Sequence, residues 1–144
     1  MASFLVTHAK RPWHLWVVAI STLAWNGSGA YTILLAQAGG LADIEPKEAA
    51  YYAAQPFWFV VSTDIALFSP VVAAMALLLR SRTAVWFFTV SLIAVLANDV
   101  YELAAGTSLA LGDRGWLILT VTIAVIAALQ LAYAWFARAR GVLR

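Results

Sequence analysis

The sequence contains no cysteine, few charged residues and only two histidines. Of its 144 residues, 11% are Asp, Glu, Lys or Arg and 64% are hydrophobic, whereas soluble domains carry about 25% charged residues. Without cysteine, the chain forms no disulfide and performs no thiolate chemistry. This composition excludes a soluble catalytic, nucleotide-binding or nucleic-acid-binding domain, and it predicts a membrane protein.

Motifs that carry chemistry are also missing. The sequence has no nucleophile and base pairing, no glycine-rich phosphate loop, no paired-histidine zinc motif and no haem-attachment motif. His8 and His14 have no further metal ligand nearby in the sequence. Aromatic side chains could pack against a pigment or quinone, but nothing in the sequence requires one. We therefore expect no enzymatic activity, no metal and no cofactor.

Four apolar segments are each as long as the 18 or so residues that mark a membrane-spanning helix. They cover about residues 13–38, 57–79, 83–105 and 116–137. The apolar run 71–79 does not alternate with polar residues, which excludes a spanning β-barrel. The sequence therefore predicts an all-α polytopic protein, with residues 1–144 forming one membrane domain of four transmembrane helices in an up-down bundle.

Positive charges predict the orientation of these helices. Seven of the nine Lys and Arg residues lie at the same ends of the segments: Lys10, Arg11, Arg80, Arg82, Arg138, Arg140 and Arg144. The positive-inside rule then puts both termini in the cytoplasm of a multi-pass inner-membrane protein. The first apolar segment is too long for a signal-peptide core and has no convincing cleavage site, so we expect it to remain as an anchor.

The loop after the first segment is longer than the other turns. Pro46 suits the first position of a helix, and alanines and the paired Tyr51 and Tyr52 follow it. Tyrosines favour the headgroup level of a bilayer. The pattern predicts a short interfacial helix on the outer surface, which would act either as a lid over a site or only as a solvated connector.

Several polar side chains fall inside the apolar segments, where they are costly and often functional. From a rise of about 1.5 Å per residue, they share one layer in the outward half of the membrane. The members of this layer are Asn26, Asp64, Asn98, Asp99 and Glu102. Thr120 and Thr122 fall at a similar depth, whereas no lysine, arginine or histidine lies at that height in any segment.

Unpaired carboxylates in a medium of low dielectric constant must be protonated, hydrogen-bonded or neutralised by a cation. This layer therefore fits a proton or cation relay, or a pocket that hydrogen-bonds a polyol or an amine. The alternative is that the asparagines and acids only join helices to one another, each contributing under about 1 kcal/mol.

Small residues and one proline suggest how the helices pack. Ala124, Ala128 and Ala132 repeat every four residues and form a ridge for close packing, either within the bundle or against a second copy. Gly27 and Gly29 favour a close helix approach beside Asn26. Pro70 removes a backbone donor and predicts a bend in the second segment.

Several motifs together resemble one family of proteins. In chain order they are Arg11-Pro12-Trp13-His14-Leu15-Trp16, Trp25-Asn26-Gly27-x-Gly29-Ala30-Tyr31, Pro46-Lys47-Glu48-x-Ala50-Tyr51-Tyr52-x3-Pro56-Phe57-Trp58, Leu79-Arg80-Ser81-Arg82 and Arg140-Gly141-Val142-Leu143-Arg144. With them the chain resembles uncharacterised four-helix inner-membrane proteins of proteobacteria, often labelled "sugar transporter" by name only. The resemblance implies the four-helix fold and the membrane location. This chain differs in having Thr32 where the family often carries an acidic residue, so an acidic site would have moved or been lost.

The favoured function is a small transporter or binding protein for a polar solute, a cation or protons. Asp64 and Asp99 would be the relay or binding carboxylates, Asn26 and Asn98 would orient the solute, and Glu102 would form the outer mouth. Because four helices enclose little volume, we expect a homodimer or a larger membrane complex. The rival hypothesis is a non-catalytic accessory subunit of a larger complex, and a lipid-modifying enzyme is a third alternative.

Overall fold

The structure, a computed structural model, describes residues 12–38, 46–107 and 114–144. Five helices lie wholly within these ranges: α1 (Trp13–Gln37), α2 (Pro46–Ala53), α3 (Phe57–Leu78), α4 (Thr83–Ala105) and α5 (Arg114–Ala139). The described residues contain no β-strand, which confirms the all-helical prediction. The four long helices occupy the four apolar segments of the sequence.

Three helices are long and apolar enough to cross a membrane: α3, α4 and α5. The chain is thus a small helical membrane protein. α1 has 25 residues and no charged side chain, but it does not belong to this group. Its central Asn26, Gly27, Ser28 and Gly29 lower its mean hydropathy.

The long helices pack in the order α1, α3, α4 and α5. Extensive interfaces join α1 to α3, α3 to α4, and α4 to α5. All four helices contribute to an apolar core at the end of the bundle that carries Arg80, Arg82, Arg138, Arg140 and Arg144, which we call the basic end. Its buried residues are Leu15, Ala19, Ala73, Ala76, Leu77, Ala84, Val85, Phe88, Ala134, Ala137 and Leu143.

The C-terminal residues close the basic end. Gly141 has a φ of 67°, which turns the chain after α5 and directs the buried Leu143 into the core. Arg80, with a φ of 60°, ends α3 in the same left-handed conformation. Its side-chain Nε donates to the carbonyl of Val142 over 2.8 Å. The turn between α3 and α4 is therefore fastened to the end of the chain.

Pro70 lies in the middle of α3, and the helix continues through it. A proline has no N–H to donate to the carbonyl four residues earlier, which here is the carbonyl of Ala66. The hydroxyl of Ser91 on α4 donates to that carbonyl over 2.8 Å. Both Pro70 and Ser91 are buried, so an interhelical bond replaces the lost intrahelical one.

The alanine ridge predicted on α5 lies mostly on its outer face. Ala128 and Ala132 are exposed, whereas Ala124 packs at the edge of a smaller core shared by α3, α4 and α5. The small residues that α5 buries against the bundle are Ala127, Ala134 and Ala137. The exposed alanines are left to face lipid or a second copy.

Candidate functional site

A cavity of about 420 Å³ lies between the four long helices, in the half of the bundle that carries α2. Its lining residues fall within 25–33 of α1, 59–67 of α3, 91–102 of α4 and 116–130 of α5, with Tyr51 and Gln55 from the region of α2. The core at the basic end closes it on the opposite side. The cavity has the volume typical of a small-molecule site.

Helical periodicity brings the polar side chains of α4 to this cavity. Ser91, Val95, Asn98 and Glu102 follow one another at intervals of four, three and four residues, which puts them on one face of the helix. On α3, Phe59, Thr63 and Ala66 repeat in the same way. The two faces meet at the extensive α3–α4 interface and form the back wall of the cavity.

Asn98 is the most deeply buried polar group of the layer on α4, with 9% of its surface exposed. Its Nδ2 donates to Thr63 Oγ1 over 3.1 Å. Its Oδ1 is buried and has no hydrogen-bond partner among the described residues. A buried acceptor without a donor costs about 1–3 kcal/mol, so a donor supplied from the cavity would stabilise this site.

Asn26 faces the cavity from α1 and is also 9% exposed. Its Nδ2 donates to the carbonyl of Thr22, one turn earlier, over 3.0 Å. One turn further along, a Cβ added at Gly29 would lie 3.2 Å from Leu67 Cδ2 on α3, whereas one at Gly27 would meet nothing within 4 Å. Of the two glycines, only Gly29 therefore serves a close helix approach.

Asp99 and Glu102 are the two carboxylates of the cavity wall, and both come from α4. Each is partly buried. No lysine, arginine or histidine lines the cavity within the described part of the chain. The site is therefore negatively charged wherever these acids are ionised, and none of the described basic residues lines it.

Glu102 joins three helices at the α2 side of the cavity. Tyr51 of α2 donates its hydroxyl to Glu102 Oε1 over 2.7 Å, and Trp116 Nε1 of α5 donates to Oε2 over 3.2 Å. The rings of Tyr51 and Trp116 meet edge to face, with centroids 5.6 Å apart. Burial, together with the bond to Glu102, raises the pKa of Tyr51 above its usual range, so it remains a proton donor at neutral pH.

Asp64 lies apart from this cavity. Its Oδ1 accepts a hydrogen bond from Gln37 Nε2, near the end of α1, over 2.8 Å, and Asp64 does not line the cavity wall. Thr63, its neighbour in sequence, does line it. Successive helical residues point about 100° apart, so one residue faces the cavity and the next faces the outer side of the α1–α3 contact. The structure thus brings together Asn26, Asn98, Asp99 and Glu102 but not Asp64.

The sequence analysis missed three contributors to the site. Gln130 is buried in α5 and lines the cavity, and its signal was a lone amide within an apolar segment. Tyr51 had been predicted only at the headgroup level, and Trp116 lies at the start of the fourth apolar segment. Of the two threonines expected on α5, Thr120 lines the cavity, whereas Thr122 donates to the carbonyl of Ile118 in its own helix.

α1 and α5 make a polar contact on the basic-end side of the cavity. His14 Nδ1 and the hydroxyl of Tyr133 lie 2.7 Å apart, and their rings pack edge to face. His14 has a protein partner here, and the described residues contain no group of three or more His, Cys, Asp or Glu that could hold a metal ion. The cavity is therefore suited to binding by hydrogen bonds and charge.

The fold and the cavity together define a class of protein. It is a small helical membrane protein with a cavity between its helices, and the wall of this cavity is mostly apolar but carries two carboxylates. No family model, curated protein or solved structure matches this chain. The resemblance to the proteobacterial four-helix proteins therefore stays a prediction from the motifs in the sequence.

Proposed function

We propose that this protein is a four-span inner-membrane protein that binds a small polar solute or a cation in its cavity and carries it across the membrane. The observation that carries this proposal is the cavity itself. Four helices and α2 line a cavity of about 420 Å³ whose wall carries two carboxylates, and no described basic residue lines it. Ionisable groups that face the interior of a membrane protein usually mark a substrate or ion pathway.

The proposal requires α1 to be the fourth span. At 25 residues α1 is about 37 Å long, against a hydrocarbon core of about 30 Å. Its polar Thr22 and Asn26 are buried against the bundle, whereas Val17, Ile20 and Leu34 are exposed. Two of its exposed polar side chains, Ser28 and Thr32, donate their hydroxyls to carbonyls of α1 itself. The surface that α1 would present to lipid is therefore largely apolar even though its mean hydropathy is modest.

With four spans, the two ends of the bundle lie on opposite sides of the membrane. We propose that the basic end lies in the cytoplasm, because its arginines follow the positive-inside rule. α2 then lies on the outer surface at headgroup level, where the Tyr51–Glu102–Trp116 cluster forms the mouth of the cavity. Asp99 would bind the solute or cation, and Asn26 and Asn98 would orient it.

A second copy of this chain is the partner we propose for transport. A single bundle closed at the basic end by packed alanines offers no passage to that side. The exposed Ala128 and Ala132 leave room for close contact with another helix. The same small residues could face lipid in a monomer, so chemical cross-linking in the membrane would test the dimer separately.

Transport is tested by reconstituting the purified protein in liposomes and following internal pH and radiolabelled uptake. The solutes are sorbitol, glucose and ethanolamine, which represent polyols, sugars and amines. We expect at least one of them to enter faster than in protein-free liposomes. Asp99→Asn should abolish that uptake because it removes a carboxylate of the cavity, whereas Asp64→Asn, outside the cavity, should retain it.

Asp64→Asn is a matched control because it makes the same chemical change at similar depth. Insertion and folding of both variants are checked by size-exclusion chromatography and circular dichroism. Absence of uptake for all three solutes in the wild type would contradict transport, as would loss of uptake in Asp64→Asn with full uptake in Asp99→Asn.

The accessory-subunit hypothesis has one specific observation in its favour. Polar side chains join α3 directly to α4: Asn98 donates to Thr63, Ser91 to the carbonyl of Ala66, and Ser62 to that of Ala94 over 3.5 Å. In this role the polar layer holds helices together and binds no solute. It predicts that Asn98→Leu, which removes one of these bonds, alters the yield of a larger complex in native gels, and that Asp99→Asn changes no flux.

A further inference from the structure

Most hydrogen-bond donors around the cavity are already used by the protein itself. Tyr51 and Trp116 both donate to Glu102. The amide nitrogens of Asn26 and Asn98 donate to Thr22 and Thr63, and Ser91 donates to the carbonyl of Ala66. A ligand that needed donors from the protein would have to break these bonds or use Thr120 and Gln130 of α5, which also line the cavity.

Acceptors, in contrast, remain open. Asp99 makes no ion pair with a described residue, and no described residue donates a hydrogen bond to its carboxylate. Asn98, the preceding residue, is more than nine-tenths buried. Its Oδ1 is buried and accepts no hydrogen bond from the described residues. The wall therefore offers a carboxylate to a ligand that brings hydrogen-bond donors and positive charge, and rotation of the Asn98 side chain would bring its unpartnered carbonyl oxygen to the same ligand.

The rest of the wall is apolar and aromatic. Trp25 and Phe59 contribute rings, and Leu67, Val95 and Ile123 contribute aliphatic surface. Such a wall favours a ligand with a hydrophobic body, and the faces of aromatic rings attract a cation as well. The volume of about 420 Å³ accommodates a phenyl ring with a short side chain.

From this division of chemistry we propose that the cavity selects amphiphilic organic cations with N–H donors, that is, primary amines on an apolar body. The ammonium group donates to the Asp99 carboxylate and to Asn98 Oδ1, while the apolar body lies against Trp25 and Ile123. This inference rests on the proposed function and names its ligand class.

The test measures binding to the full chain in nanodiscs, with empty nanodiscs subtracted. The probe is tritiated 2-phenylethylamine, and three unlabelled competitors differ from it in one respect each. Phenethyltrimethylammonium keeps the charge but has no N–H, 2-phenylethanol keeps the body but has no charge, and sorbitol is a polyol without an apolar body. We expect 2-phenylethylamine to bind at least about tenfold more tightly than each of the other three, because a charge-assisted hydrogen bond is worth that much affinity.

Two substitutions assign the contacts, and two others serve as controls. Asp99→Asn should weaken binding of both cations about tenfold or more, because it removes the charge they share. Asn98→Leu should weaken only 2-phenylethylamine and leave phenethyltrimethylammonium unchanged, since only the primary amine uses the carbonyl acceptor. Asn98→Asp, which keeps acceptors at that position, should bind the primary amine at least as tightly as the wild type. Asp64→Asn should bind both cations like the wild type.

The outcomes separate this inference from the proposed function. If 2-phenylethanol or sorbitol binds as tightly as the amine and Asp99→Asn has no effect on that binding, the cavity is a solute site but the cation inference is wrong. If the tritiated amine does not bind above empty nanodiscs, the cation inference is wrong, and the proposed function fails with it only if the liposome assay also shows no uptake of sorbitol, glucose or ethanolamine. If Asn98→Leu weakens the two cations equally, the acceptor role of Asn98 is wrong.

Discussion

Six alanines among the described residues are completely buried between helices: Ala19, Ala73, Ala74, Ala84, Ala134 and Ala137. In a bilayer, lipid tails are as apolar as the protein, so helices gain little by burying hydrophobic surface and much by close van der Waals packing. Small residues allow that close approach. The few large side chains among them then fill the space that the alanines leave.

Phe88 is the largest of these side chains, at 1% exposed, whereas its neighbour Phe87 is 37% exposed on the outer face of α4. We expect Phe88→Ala to lower the free energy of unfolding by about 3 kcal/mol, because it leaves a cavity in the core at the basic end. Unfolding in mixed micelles with increasing dodecyl sulfate measures this loss.

Phe87→Ala is the matched control, since it removes the same ring from a position with little packing. It should cost less than about 1 kcal/mol. Equal losses in the two variants would show that the core at the basic end does not pack as described.

Among the helices, α3 lies between α1 and α4 in the bundle. It packs against both of these helices and contains the buried Pro70. Two consecutive residues of α3 have different surroundings, because Thr63 lines the cavity and Asp64 bonds to Gln37. The proline would leave the carbonyl of Ala66 without a partner, but Ser91 of α4 supplies the bond. The defect within one helix is thus repaired by its neighbour.

This repair predicts coupling between Ser91 and Pro70. In the wild type, Ser91→Ala should cost about 1–3 kcal/mol, because it leaves the Ala66 carbonyl buried and unpaired. In a Pro70→Ala background the new N–H can donate to that carbonyl, so the same change should cost about 1 kcal/mol less. Unfolding free energies of the wild type, both single variants and the double variant measure the coupling.

Thr89→Ala provides the comparison for this cycle. The Thr89 hydroxyl donates to the carbonyl of Val85 over 2.8 Å. This hydrogen bond lies within α4 and does not involve α3. Its effect should therefore add to that of Pro70→Ala. Additive behaviour of Ser91→Ala as well would mean that the interhelical bond does not compensate for the proline.

For the whole molecule, the number of spans decides which ends share a side of the membrane. Three helices qualify by length and apolarity, and α1 is the proposed fourth. With four spans the start of α1 and the turn between α3 and α4 lie on one side, and α2 lies on the other. With three, the start of α1 would lie on the same side as α2.

Because the sequence contains no cysteine, a single introduced cysteine is the only residue of the protein that a thiol reagent labels. Its labelling therefore shows on which side of the membrane it lies. We choose Trp13→Cys at the start of α1, which is 76% exposed, Ala49→Cys on α2 and Ser81→Cys in the α3–α4 turn. A membrane-impermeant maleimide is added to intact cells under conditions in which it reaches only the outer face of the inner membrane. It should label only Ala49→Cys. The other two should react after permeabilisation, and labelling of Trp13→Cys from outside would contradict the fourth span.

The positions of the helices could be predicted from the sequence because they depend on interactions between residues that are close in the chain. A helix in a membrane satisfies its backbone hydrogen bonds within itself, so a run of apolar residues predicts a helix without knowledge of its neighbours. The helices over 57–78 and 83–105 therefore begin and end within a residue of the predicted segments. The start of α2 at Pro46 is equally local, because proline fits the first turn of a helix.

The depth of the polar residues was also readable, but their grouping was not. Depth follows from counting residues along a helix, which put Asp64 and Asp99 in one layer. Whether two residues at one depth meet depends on the rotation of each helix and on which helices are neighbours. Only the packing of α3 between α1 and α4 turned Asp64 toward Gln37, left Asp99 in the cavity and brought Tyr51 and Trp116 to Glu102.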